Sequence, residues 1–140
     1  MKKEVLLSIT GVQGTDGNKD TVEFSTVGTM ETDLAGTHFY YDESQILKAG
    51  SIKTALNILN DGSVILERSG DLSTRLVLEK NKRNNCHYVT PFGDMMIGIY
   101  CNRLDVDLNG AKGKIFMNYS IDSNFKEISK NEVTINIKEV

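Results

Sequence analysis

The sequence predicts an all-β fold: one antiparallel, mostly up-and-down β-barrel of roughly eight to ten strands. Three observations carry this. Apolar residues recur with a period of two through nearly the whole chain, as they do on half-buried strands. Turn-forming residues interrupt the runs at short, regular intervals. No segment shows convincing helical spacing.

The runs follow in order. Val5, Leu7 and Ile9 share one face of the opening segment, and after a turn at Gly14–Asn18 the pattern resumes with Val22, Phe24 and Thr26. Ile52, Thr54, Leu56 and Ile58 form the next run, then Val64 and Leu66, then Leu72, Thr74, Leu76 and Leu78. Met95, Ile97 and Ile99 come next, followed by Leu104, Val106 and Leu108. The last runs are Ile115, Met117, Tyr119 and Ile121, and then Val133, Ile135 and Ile137.

Between them lie Asn60-Asp61-Gly62 and Asn109-Gly110, the residue types that tolerate the positive φ of tight hairpins. Ser69-Gly70-Asp71, the stretch from Asn81 to Asn85, and Thr90-Pro91-Phe92-Gly93 are further breaks. Asp42 to Ala49 is the best helical candidate, as a single turn or an Ω-type loop. Short connections pair sequential neighbours, and such a sheet hides its edges most simply by closing, so a barrel is preferred to a sandwich. At about eight strands the interior has room for side chains or for one small ligand.

The chain has 140 residues, the size of one ordinary domain, and 1–140 is read as one barrel. Its composition, 39% apolar and 25% charged with one Pro, excludes collagen-like and disordered classes. A net charge of −3 argues against nucleic acid as a partner. The apolar run after Lys2 and Lys3 stops at Ser8, too short for a signal peptide, and no stretch is long enough to span a membrane. With two cysteines in neither CxxC nor scaffold spacing, a cytoplasmic location is expected.

Tyr41-Asp42-Glu43, Ser51-Ile52-Lys53-Thr54, Arg68-Ser69-Gly70 and Tyr88-Val89-Thr90-Pro91-Phe92-Gly93 occur in an order that resembles the YwiB-like family. These are small bacterial calycin-like barrels of no assigned function, and the strand from Gly113 to Tyr119 fits the likeness too. The resemblance implies a lipocalin-like barrel, a cytoplasmic bacterial protein and no known catalysis. It implies no ligand. The chain has no Trp, hence no Gly-x-Trp lipocalin signature.

Candidate chemistry centres on the barrel interior. Arg68 shares the parity of Val64 and Leu66, which turns it inward, where an arginine needs a partner or solvent. Glu43 is the partner expected, and the two readings are a structural ion pair and a cation that receives a ligand. Tyr41, Tyr88 and Tyr119 are candidates to line the same interior, with core packing as the competing role. Asp105 and Asp107 alternate with leucines and valine, which places them on a solvated face. His38 and His87 lack metal-ligand spacing, so no metal or cofactor is expected.

Lys80, Lys82 and Arg83 form a basic cluster in an expected loop. If Cys86–Pro91 formed a hairpin with a four-residue loop, Cys86 would stand opposite Cys101. No catalytic motif is present. The leading function is therefore a non-enzymatic binding barrel with a small molecule inside. The alternatives are a self-associating or protein-binding scaffold, contacting partners through Phe39, Phe92 or Phe125, and an RNA-binding protein with Tyr88 or Phe92 as a stacking platform.

Overall fold

The computed structural model describes residues 2–15, 17–42, 52–70, 73–90 and 93–140. Within them ten strands close into a barrel. They are β1 (Lys2–Thr15), β2 (Asn18–Thr32), β3 (Gly36–Asp42), β4 (Ile52–Leu59), β5 (Val64–Gly70), β6 (Ser73–Leu78), β7 (Lys82–Thr90), β8 (Gly93–Asn109), β9 (Lys112–Ser123) and β10 (Lys126–Glu139). Each strand pairs antiparallel with its sequence neighbours, and β1 meets β10 to close the ring. Closure removes both free edges.

Alternation places the core. Leu7, Phe39, Leu56, Leu78, Ile99, Ile115, Met117 and Ile135 point inward from different strands and are at most 2% exposed. Fully burying an aliphatic or aromatic side chain stabilises by about 1.5–3 kcal/mol, so this layer supplies the fold's main driving force. These side chains belong to one contiguous buried cluster that fills the barrel's waist.

Two strands escaped the period-two reading. In β3 Phe39 and Tyr41 face inward, while the outer face carries a buried His38 and an aromatic Tyr40, so the sequence shows no alternation there. In β7 the asparagines look like a break, yet only Asn81 is a turn residue, with φ of 62°, and the strand begins at Lys82. The asparagines have a structural role there. Among the described residues β6 and β7 pair only at Ser73↔Val89 and Thr74↔Tyr88. Below that point the Cys86 Sγ accepts a bond from the Val77 N–H at 3.4 Å, and Asn84 Nδ2 donates to the Val77 carbonyl at 3.3 Å. Side chains of β7 thus satisfy backbone groups of β6 that the ladder leaves open.

The cysteine register differs from the four-residue-loop expectation. Thr90 pairs with Gly93, so the connection is two residues shorter, and Cys86 stands opposite Ile97. Cys101 lies four residues farther along β8, and both thiols are free and buried. Of the aromatic residues suggested as partner contacts, Phe39 is wholly buried, Phe125 is 81% exposed, and Phe92 lies outside the described residues. The helical candidate from Asp42 to Ala49 begins on β3 and otherwise lies outside them. Among the described residues no helix is long and apolar enough to cross a membrane.

Candidate functional site

Toward one end of the barrel, cross-strand pairing lines up a row of inward positions. Tyr41 on β3 pairs with Thr54 on β4, and Thr54 pairs with Arg68 on β5. Arg68 pairs with Thr74 on β6, Thr74 with Tyr88 on β7, and Tyr88 with Met95 on β8. All share the face of Phe39, Leu56, Leu66 and Leu76, so the row sits directly above the apolar core. Opposed side chains on neighbouring strands have Cβ atoms about 4.5–5.5 Å apart, which puts a hydroxyl on either side of the arginine.

Burial grades across the row. Thr54 is 2% exposed, Thr74 5% and Tyr41 8%, while Arg68 and Tyr88 are half-buried and Met95 is open to solvent. Gly28 on β2 makes the fit possible. A Cβ there would fall 2.6 Å from the Tyr40 carbonyl oxygen and 3.2 Å from the Tyr41 Cβ, so a larger residue would force the β3 backbone beside Tyr41 to shift. The Thr74 hydroxyl has no hydrogen-bond partner among the described residues. A buried hydroxyl without a partner is costly, which marks this as a place where a further polar group would be welcome.

Of the candidates read from the sequence, the fold brings together Tyr41, Arg68 and Tyr88. Glu43 lies outside the described residues. Tyr119 is elsewhere: it pairs with Cys101, six residues along β8 from Met95, or about 20 Å of strand. There it belongs to a second polar layer with Asn131 and Ser129, where Asn131 Nδ2 donates to Ser129 Oγ at 3.1 Å. In the sequence Thr54 and Thr74 look like ordinary strand residues. Their signal was parity, since both fall on the leucine-bearing face of their runs.

Two outer-face clusters have settled chemistry. His38 Nδ1 lies 2.6 Å from Asn57 Oδ1 and Nε2 lies 3.0 Å from Asp33 Oδ1, and the protonated ring donates to both. The Asn57 amide is oriented by its own donations to the Ile65 carbonyl and Glu67, so both ring nitrogens face acceptors. Burial alone would lower the His38 pKa, but the bonds to Asp33 and Asn57 and the charges of Asp33 and Glu31 outweigh it, and the net shift is upward. While the ring carries both protons it offers no lone pair for base or metal chemistry.

In the second cluster Arg83 grips Asp122 with Nε and Nη2 at 2.9 and 2.6 Å. The Arg83 bond, opposed by burial, holds the Asp122 carboxyl below its ordinary range. Lys82 Nζ lies 3.6 Å from Glu79. The basic cluster is thus largely charge-paired, and two of its three members sit on a strand instead of a loop. Asp105 is exposed and lies 3.1 Å from Arg103.

Comparison with known proteins agrees with this architecture. A family model described as a domain of unknown function (DUF1934) matches residues 7–135. The uncharacterised β-barrel protein YwiB of Bacillus subtilis is 26% identical over 124 residues, 86% of this chain and 84% of that protein. The crystal structure of the ywiB protein superposes with a TM-score of 0.87 at 22% identity, covering 99% of this chain and 93% of the other.

Proposed function

The chain belongs to the DUF1934 family, a domain of unknown function, and from that premise we propose that it is a cytoplasmic, non-enzymatic module binding a small anion at the Arg68 end of the barrel. The carrying observation is the buried Thr74 hydroxyl, partnerless among the described residues, directly beside an inward arginine. A carboxylate or phosphate oxygen accepts from both kinds of donor, and charge-assisted bonds are the strong ones. Tyr41 and Tyr88 add two amphipathic walls that fix orientation. The filled waist limits the ligand to a small headgroup at the end of the barrel.

The test is native mass spectrometry of gently purified protein together with a thermal-shift screen of carboxylate and phosphate metabolites. An anion that stabilises the wild type and not Arg68→Met supports the reading. Equal responses of the two proteins, or no response from any anion, would refute it.

A second reading, a self-associating scaffold, draws on Phe125. This residue is 81% exposed with φ of 68°, and the Arg83 guanidinium lies 4.0 Å from its ring centroid. Light scattering at two concentrations, with Phe125→Asp as the disrupting variant, separates it from the first.

A further inference from the structure

On the opposite side of the barrel wall, β8, β9, β10 and β1 form a concave outer face about 730 Å³ in volume. That size is within the range of small-molecule sites. Two rows of directly paired outward residues make its floor. One runs Val12, Glu132, Asn118, and the other Gly14, Lys130, Ser120, Tyr100. Gly14 carries no side chain, which leaves the β1 end of the second row open.

Both register irregularities of the barrel's described pairings border this trough. One falls between Cys101 and Arg103 in β8, the other between Glu127 and Ser129 in β10. The extra residue in each case, Asn102 or Ile128, lines the concavity. A bulge costs ladder hydrogen bonds and re-aims a side chain, and bulges concentrate beside functional sites. The two bulges of the described pairings converge on one trough.

The lining chemistry is selective. Its charged residues balance, with Lys19 and Lys130 against Glu127 and Glu132, so a strong anion or cation gains little there. The remaining groups are carboxamides and hydroxyls that both donate and accept, set beside the Tyr100 ring and the aliphatic Val12 and Ile128. Asn118 Nδ2 already donates to Glu132 Oε1 at 3.3 Å, which orients that amide and leaves its oxygen free to accept. A ligand matching such a surface is uncharged, dense in hydroxyls on its edges and apolar on its faces. We propose that this trough is a carbohydrate-binding site taking a short neutral oligosaccharide, with Tyr100 as the stacking platform and Asn102, Asn118 and Glu132 reading hydroxyls.

The experiment is an NMR amide-shift titration of the intact chain with three neutral probes: cellotetraose, chitotetraose and maltotetraose. At least one is expected to shift amides of β8, β9 and β10 along the two rows. Tyr100→Ala and Asn102→Ala change exposed outward side chains, so both retain the fold, verified by an unchanged core spectrum. Each is expected to weaken binding about 3–10-fold, the loss typical of one aromatic contact or hydrogen bond. The proposal is overturned if no neutral probe shifts these amides at millimolar concentration, or if both variants bind as the wild type does. Tighter binding of trigalacturonate or an oligothymidylate than of every neutral sugar would also overturn it, by showing an anion or single-strand site instead. The Arg68 reading concerns the inner face and stands or falls separately.

Discussion

Gly98 is the residue whose replacement has the least obvious consequence. It lies on the outer face of β8 opposite Asp122, and the Arg83 side chain crosses directly over it to reach that carboxylate. An added Cβ would stand 2.2 Å from Arg83 Nη2 and 2.5 Å from Cζ and Nε. Ordinary contact needs about 3.5 Å or more between such atoms, so the guanidinium must retreat by more than 1 Å. Bonds of 2.6 and 2.9 Å then pass beyond hydrogen-bonding range.

Asp122 has a side chain only 13% exposed and keeps a bond from the Phe125 N–H alone, so Gly98→Ala is expected to destabilise by about 1–3 kcal/mol. The sign should reverse once Arg83 is gone. In an Arg83→Met background the alanine meets a movable methionine and restricts the unfolded chain, so the same change is expected to stabilise by about 0.4–1 kcal/mol. Urea titration of the four proteins of this cycle gives both values. Destabilisation of equal size in both backgrounds would refute the crossing geometry and assign the cost to the strand backbone.

Three further outcomes are expected. Thr74→Val removes a buried unpartnered hydroxyl at constant shape, so the ligand-free protein should gain about 1–2 kcal/mol in urea titration while losing anion affinity; a loss of stability would show the hydroxyl is satisfied. His38 holds its proton to higher pH in the native state than its unfolded value of 6.5, so its contribution is complete below pH 6.5 and disappears as pH rises through the native pKa. Urea midpoints of the wild type should fall across that window relative to His38→Gln, and parallel profiles would contradict the two-acceptor geometry. Both thiols should resist alkylation until the protein unfolds, because Cys86 and Cys101 are at most 3% exposed and burial raises the Cys101 pKa. Thiol titration that finds a disulfide in freshly lysed protein would contradict the register.

The strands that face solvent on one side were legible in the sequence because burying one face forces alternation, as in Ile52 to Ile58 and Ile115 to Ile121. β3 was illegible because His38, on the outer face, is buried by its bonds to Asp33 and Asn57, which no local pattern encodes. The strand start in β7 was hidden because Asn84 and Cys86 bond the backbone of β6, a role visible only once the neighbour is in place. Parity alone turns Arg68, Thr54 and Thr74 inward. That they stand side by side needed the register, and register depends on loop lengths such as the two residues between Thr90 and Gly93. Tyr119 shows the limit of parity: it faces inward, yet distance along β8 puts it in another layer.

The most direct measurement of the central claim is an NMR titration of the isotope-labelled chain with the best anion from the metabolite screen. The expected result is a saturable shift of the amides of Tyr41, Thr54, Arg68, Thr74 and Tyr88, with the outer face and Tyr119 unchanged, and its loss in Arg68→Met. Shifts confined to surface lysines, or a row that stays still at saturation, would contradict a ligand site at this end of the barrel.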